Sequence, residues 1–462
     1  MPERFRSIEM KEADFRRRLA QMMVGPVFPE KQFLLSTTTY RQVYAMAADI
    51  RAYFGADNAV EQVVCLCTDH RGVTAAAVLA ALAGGLTLVL PYAFDLQVLE
   101  ALRQSTGFRH AIIDSPRDLP PGVRGIVPSI AERRWSPVPE SMPVNPERTW
   151  MYLFTGGTTG APRLWPKTVR NLLAESFYLQ DTHQVTAGDR LVATVNPHHI
   201  YGLLYSILLP VAASASVFAC TPSFPAEIET ALRESAATLL ISVPAHYRAL
   251  NGYPLKALAL RRAFSSAGLL AAQDGEAFST QTGVDIVEIY GSTETGGVAS
   301  RIRAAGQVDF APFESVDLQI EGESMRIRSD YLSPGLIEAS DGYFQLSDRA
   351  VATAQNRFML LGRADGVVKV GGKRVDMEAV RQTLRQDPRI EEAVVIALPV
   401  GKARENQIVA VVEGNLSVEE LTWASRKALE AYACPRRFKI IDKIPTTGTG
   451  KFDRKTIEGM FL

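Results

Sequence analysis

The chain has 462 residues, of which 47% are hydrophobic and 22% charged, a composition that fits a soluble globular protein with room for roughly two to three domains. Its 50 Lys and Arg balance 50 Asp and Glu, so no global field draws nucleic acid or an anionic membrane, and any basic patch is local. The 4 cysteines are too few for a disulfide framework at this length and point to a reducing cytoplasm.

The N-terminal residues are charged (Glu3, Arg4, Arg6, Glu9, Lys11) and carry no apolar core of a signal peptide. Val43, Met46, Ala47 and Ile50 recur at helical spacing and predict a helix from Tyr40 to about Phe54. A strand over Val63–Leu66 follows, with Cys65 and Cys67 on one face as core residues. A helix over Thr74–Ala83, a strand over Leu86–Leu90, a helix over Leu96–Gln104 and a strand over His110–Ile113 come next. Two uncharged windows, Gly72 to Phe94 and Leu203 to Phe224, are long enough to raise the question of a membrane span. The first breaks at Gly84-Gly85 and the second at Pro210, and each resumes as a strand. Both therefore read as helix–strand units of an α/β core, and no stable membrane insertion is expected. The stretch from Pro137 to Pro146 reads as a surface linker.

Strands are predicted again over Leu191–Val195, Leu239–Val243 and Val284–Ile289, and an antiparallel region over Val316–Leu346. After Asp365 the pattern changes to a small α+β unit. It has strands at Val367–Val370, Ala393–Ala397, Ile408–Val412 and Phe438–Ile441, and helices at Asp376–Leu384 and Val418–Leu429. The fold class is α/β. A large N-terminal domain of layered α/β sheets with a small β-rich subdomain (residues 1–364) is expected to precede a small C-terminal domain (residues 365–462).

Four segments carry chemistry. The first is Phe154-Thr155-Gly156-Gly157-Thr158-Thr159-Gly160-Ala161-Pro162-Arg163, after an apolar lead-in at Met151 to Leu153. Glycines admit an anion close to the backbone, and successive N–H groups with Thr hydroxyls can wrap phosphate oxygens. No Gly-Lys-Ser/Thr closes it, so it is not a Walker loop, and taken alone it could be a polar turn. The others are Glu288-Ile289-Tyr290-Gly291-Ser292-Thr293-Glu294-Thr295-Gly296, then Leu361-Gly362-Arg363-Ala364-Asp365, and last Pro445-Thr446-Thr447-Gly448-Thr449-Gly450-Lys451. The local alternatives are a helix N-cap at Ser292 or Thr293 and an exposed surface lysine at Lys451.

In order, spacing and residue type these segments resemble the adenylate-forming superfamily of acyl- and aryl-CoA synthetases, peptide-synthetase adenylation domains and firefly-type luciferases. The resemblance runs from about Thr39 to the C-terminus. It implies ATP and Mg²⁺ as cofactors and a C-terminal domain that is mobile about Asp365. Thr155, Gly156, Gly157, Thr158, Thr159 and Gly160 would hold the β- and γ-phosphates. Arg163 stands where members usually carry Lys, and Gly156 where Ser is common. Tyr290, Gly291 and Ser292 would face adenine, Thr293 the α-phosphate, and Glu294 would ligate the metal. Asp348 matches a ribose-binding carboxylate, with a solvated turn aspartate as its local alternative, and Arg363 a contact to ribose and phosphate. Lys451 would be the catalytic lysine, and Gly371 and Gly372 would line the pantetheine path. His199 aligns with the acyl-pocket histidine, beside His198, and Tyr201 with Ser266, Ala267 and Gly268 would complete the acid site.

The implied activity is an ATP-dependent carboxylic acid ligase that forms an acyl-adenylate and then a thioester on CoA or carrier-protein pantetheine. The chain's compact size and Trp165-Pro166-Lys167-Thr168 resemble AMP-ligases of aryl polyene and xanthomonadin-type pathways, which implies a 4-hydroxybenzoate-like aryl acid. Tyr201 and Tyr205 suit a planar ring, although aromatics also fill cores. A short- or medium-chain fatty acyl-CoA synthetase shares every motif. An amino-acid adenylation domain fits less well, because no Asp for an amine lies near Ile200 to Leu204. A non-catalytic nucleotide-binding module is the rival of another class, and it need not keep both Glu294 and Lys451.

Overall fold

The computed structural model describes the chain apart from residues 1–2, 6–9, 56–61, 131–133, 138–143, 156–162, 256–257, 304–307, 337–338, 354–355, 364–365, 371–372, 401–404, 448–451 and 462. Gly156, Gly157, Thr158, Thr159, Gly160, Asp365, Gly371, Gly372 and Lys451 thus lie outside the described residues.

Two large sheets form the N-terminal part. A 6-stranded sheet runs in the order Arg124–Ile126, His110–Ile113, Gln62–Cys67, Leu86–Val89, Thr149–Thr155, Arg163–Thr168, and only its last pair is antiparallel. In the 9-stranded sheet, Arg190–Ala193, Leu239–Ser242, Arg262–Ser265 and Ile286–Ser292 lie side by side and parallel. Gly296–Ile302 adds antiparallel to Ile286–Ser292. Between the sheets runs helix Arg71–Leu82, every residue of which is buried. Its alanines (Ala75, Ala76, Ala77, Ala80, Ala81) let strands and helices approach on all sides, as close packing of an interior requires. The predicted break after this helix is present: Gly84 and Gly85 have φ of +116° and +82°, a region side chains rarely adopt.

The second apolar window departs from expectation. Pro210 does not end the helical run, which continues through Ile200–Leu203, a π turn at Leu204–Leu208 and Leu209–Ala213. Pro210 falls in the first turn of the last piece, where a missing N–H costs little, and the π turn before it shifts the backbone register. Among the described residues no helix is long and apolar enough to cross a membrane.

The antiparallel region is a 5-stranded sheet that includes Asp317–Glu321, Ser324–Arg328, Phe344–Thr353 and Arg357–Arg363. Beyond it, Val367–Val370 pairs with Lys373–Asp376, and Ile390–Val400, Glu405–Gly414 and Arg437–Ile440 form a 3-stranded sheet. Helices Met377–Leu384 and Val418–Ala428 pack on this part, as the sequence predicts.

His183 caps helix Val169–Thr182 and packs edge-on against Phe264, with ring centroids 4.7 Å apart. Burial first, then the charges of Arg262 and Arg261, hold its imidazole down at about 4. An unfolded chain takes up this proton near pH 6.5, so between pH 6.5 and 4 the unfolded state binds more protons than the native one. Stability therefore falls as pH drops through that window, by up to roughly 3 kcal/mol from this group. Urea unfolding of wild type and His183→Gln at pH 7 and pH 4.5 is expected to show the smaller pH loss in the variant.

Candidate nucleotide and acid site

Segments leaving the carboxyl ends of neighbouring parallel strands open onto one crevice, where α/β sheets bind ligands. Asn196–His199 follows Arg190–Ala193, Pro244–Ala249 follows Leu239–Ser242, Ser266 to Gly268 follow Arg262–Ser265, and Thr293-Glu294 follow Ile286–Ser292. The sheet thus brings His199, Ser266, Ala267, Gly268, Tyr290, Thr293 and Glu294 to one edge.

Residues Ser292 to Gly296 make a tight hairpin turn, not a helix N-terminus. Ser292 and Thr295 hydroxyls are 2.9 Å apart, and the Ser292 N–H donates to the Thr295 hydroxyl at 3.1 Å. Gly291 is obligatory, because a Cβ there would stand 2.3 Å from the Gly296 carbonyl oxygen. The turn is gripped from below. Lys167 Nζ donates to the carbonyls of Glu294 (3.2 Å) and Tyr331 (2.8 Å), and Glu175 Oε1 accepts the Gly297 N–H at 2.8 Å. Burial pushes the Lys167 ammonium down and the Glu175 carboxyl up, each partly offset by the other's charge.

Tyr290 donates its hydroxyl to Asp348 Oδ2 at 2.8 Å, and Asp348 is the register partner of Arg363 across the sheet. Asp348 therefore lies on a strand against Tyr290 and is not a solvated turn residue. The Tyr290 ring meets Phe310 (5.9 Å) and Phe358 (6.3 Å), which stack on each other at 6.0 Å. Thr155 and Arg163 pair at the base of the Gly/Thr segment, and the Arg163 guanidinium lies 4.1 Å over the Trp165 ring.

On the acid side, Ser266 donates to the Ile289 carbonyl at 3.0 Å, and Ala267 holds φ +68°, a left-handed turn. The two histidines part company. His198 is buried, with Nε2 2.8 Å from the Thr68 carbonyl oxygen and its ring edge-on to Phe94. His199 is the partly buried N-cap residue of Ile200–Leu203. Tyr201 and Tyr205 are both buried, with ring centroids 5.0 Å apart, and Tyr205 packs on Phe264. They extend the core behind His199. Sequence reasoning missed Lys167, Glu175, Phe310 and Phe358. A lysine inside an otherwise buried strand and a glutamate on a helix's apolar face were the available signals.

A hydroxyl-rich hairpin and a Tyr–Asp pair thus stand at the carboxyl edge of a parallel sheet, the place where α/β folds bind small ligands. Residues 25–335 match the AMP-binding enzyme family and residues 380–451 its C-terminal domain, and the chain belongs to this family. It is 29% identical over 308 residues to the 4-coumarate–CoA ligase of Rhodobacter capsulatus, covering 64% of this chain and 73% of that protein. It is 27% identical over 358 residues to the 3-hydroxybenzoate–CoA/4-hydroxybenzoate–CoA ligase of Thauera aromatica, covering 70% and 68%. Against the probable CoA ligase CCL8 of Humulus lupulus it is 26% identical over 377 residues, 68% of this chain but only 62% of that protein's length. The ATP-bound structure of MatB from Rhodopseudomonas palustris has the same fold, with a TM-score of 0.83 at 18% identity over 96% of this chain and 98% of that one.

Tyr290→Phe keeps the ring and removes the donor to Asp348, a loss of about 0.5–1.5 kcal/mol for an ordinary hydrogen bond. AMP affinity by calorimetry is expected to fall by roughly 2- to 10-fold. Asp348→Ala, which deletes the carboxylate itself, is expected to cost more than Tyr290→Phe.

Proposed function

We propose that this chain is an ATP-dependent acid–thiol ligase that activates a 4-hydroxybenzoate-like aryl acid as its adenylate and passes the acyl group to CoA or carrier-protein pantetheine. The observation that carries the reading is the Tyr290–Asp348 bond (2.8 Å) beside the Thr293-Glu294 turn, an aromatic and polar edge next to a turn whose backbone is held by Lys167. Family membership and the two aryl-acid ligases among the relatives support the class of acid.

In the first half-reaction a carboxylate oxygen attacks the α-phosphorus of ATP, a P–O bond forms and pyrophosphate leaves. The backbone of the 156–160 loop, with Thr155 and Arg163, would cradle the β- and γ-phosphates. Asp348 would accept the ribose hydroxyls and Arg363 would reach ribose and phosphate. Lys451 would neutralise charge growing on the α-phosphate. One carboxylate at a pinned turn fits Mg²⁺, which takes one or two carboxylates plus phosphate oxygens and, when bound, would offset the charge of the leaving pyrophosphate. His199, Ser266, Ala267 and Gly268 would orient the acid, with Tyr201 behind them.

In the second half-reaction the thiol sulfur attacks the acyl carbon, the C–O bond to AMP breaks and the thiol proton is lost. Gly371 and Gly372 would line the pantetheine path after the 365–462 unit turns about Asp365. Cysteine usage supports a reducing cytoplasm as the setting.

ATP–pyrophosphate exchange is expected to need both Mg²⁺ and an organic acid, with 4-hydroxybenzoate or a close relative best. Exchange with fatty acids alone rules out the aryl assignment, and no exchange with any acid favours a binding module. Lys451→Ala is expected to slow adenylate formation by ~10²–10³ while sparing thioester formation from supplied acyl-AMP, because the lysine acts only as pyrophosphate leaves. Asp365→Pro, which fixes φ near −65°, is expected to do the reverse. Adenylate would form while thiol transfer fails, read by pyrophosphate release in one turnover and by transfer from purified acyl-AMP.

A further inference from the structure

Lys167 and Glu175 are buried charged side chains with no assigned role, and both end on the turn that carries Glu294. Lys167 comes from strand Arg163–Thr168, which descends from the 156–162 segment, and crosses to the other large sheet to reach the Glu294 and Tyr331 carbonyls. The Ser333 N–H donates to the same Glu294 carbonyl at 2.8 Å, so that oxygen is held from two sides. Glu175, from helix Val169–Thr182, lies flat against Gly296 and Gly297 on the far side of the turn. A Cβ on Gly296 would come within 2.6 Å of Glu175 Oε2, and one on Gly297 within 2.9 Å of Oε1.

A packing role alone would be served by apolar side chains, which carry no desolvation cost. What an ammonium and a carboxylate add is directional bonding to a backbone carbonyl and a backbone N–H. The two bonded groups, the Glu294 carbonyl and the Gly297 N–H, enclose residues 295 and 296 and so hold the backbone immediately after Glu294. We infer that Lys167 and Glu175 are positioning residues that lock the Thr293-Glu294 turn to the base of the phosphate loop, and so set where the Glu294 carboxylate stands relative to nucleotide phosphates. The inference rests on Glu294 being the metal carboxylate of the proposed function. The pair touches neither substrate nor metal. It acts through the backbone it holds.

The test is calorimetric titration of ATP, with no acid present, in the presence and absence of Mg²⁺. The double variant Lys167→Met/Glu175→Met removes both charges and both directional bonds while keeping side chains of similar length, and leaves no uncompensated buried ion. It is expected to bind metal-free ATP as wild type does but to lose ~10-fold of the affinity gained with Mg²⁺, the usual scale for groups that orient a metal ligand. Where the double variant is not recovered folded, Lys167→Arg, which keeps the charge but moves the donors, is read the same way. Glu294→Gln is the control. If Glu294→Gln abolishes the Mg²⁺ gain and the folded double variant keeps it, the positioning role is overturned and the metal assignment stands. An equal loss with and without Mg²⁺ also overturns it, because the pair then supports the crevice as a whole. If Glu294→Gln changes nothing, the metal assignment falls and the positioning role with it.

Discussion

A buried guanidinium with no carboxylate among its hydrogen-bond partners ties the start of helix Arg71–Leu82 to the strand ends of the 9-stranded sheet. Arg71 is fully buried at the start of helix Arg71–Leu82, and its acceptors are backbone carbonyls and one hydroxyl. Nη1 donates to the Ala219 (3.0 Å) and Cys220 (2.7 Å) carbonyls, and Nη2 to the Ala193 carbonyl (3.0 Å) and the Thr221 hydroxyl (2.9 Å). Burial lowers its pKa only to about 10, so the group is cationic at neutral pH and keeps all its donors. The carbonyls it gathers end the parallel strands Arg190–Ala193 and Ser216–Val217, the strand ends at which the crevice opens. Next to it, Asn196 donates to Asp69 at 2.9 Å and His198 meets the Thr68 carbonyl, so the segment that presents His199 is tied to the same helix start. The buried His198 is thus a fastening for its neighbour, which explains why two adjacent histidines do unlike things.

The small C-terminal part is held quite differently. Its buried clusters draw on no residue before Val368 among the described residues, so its core is its own. Contacts across to the large part are polar: Arg349 with Asp376, and Arg248 with Glu392 at 3.7 Å. Glu392 is already shared with Arg381 (2.8 Å) and Arg385 (3.5 Å), and Arg248 is 46% exposed. Of these groups Arg248 is the one open to water, and a pair at 3.7 Å with so exposed a partner contributes little net stability. A unit with a closed core and such polar ties can be turned without exposing apolar surface, which is what two half-reactions served by one crevice would need.

The sequence made much of this legible, for reasons particular to each element. Parallel strands buried on both faces are continuous apolar runs, and Leu239–Ser242, Arg262–Ser265 and Ile286–Ser292 form a contiguous block of them; the first and last were read from the pattern alone. Turn chemistry exposed the Gly84-Gly85 break, whereas the register shift at Tyr290/Gly291 is visible only in the structure. Asp348 was found by its distance from Arg363, and the hairpin makes the two register partners. Hydrophobic pattern reports burial and not partners, however, so the backbone partners of Lys167 and Glu175 were not legible in it. Phe310 and Phe358 come from separate strands and meet under Tyr290 only in three dimensions. Pro210 misled because a proline's usual effect on a helix assumes the α register, which the π turn before it alters.

The departure at Arg163 also has a structural reading. Family members usually place Lys at this position, and here Trp165 stands two residues on, on the same face of the strand. An ammonium is a compact, strongly hydrated charge and gains little from a ring already in the core, whereas a planar guanidinium can lie on it. The 4.1 Å contact fits that pairing. Stacking uses the face of the guanidinium and leaves its N–H edges, the part that binds phosphate oxygens in a fork. The ring thereby fixes, by geometry, an orientation that a flexible ammonium would take up only by motion. Lysine reappears four residues on at Lys167, buried and turned to the opposite hairpin. Strand Arg163–Thr168 thus carries two cations in unlike settings, one stacked on Trp165 and one bonded to the turn it faces.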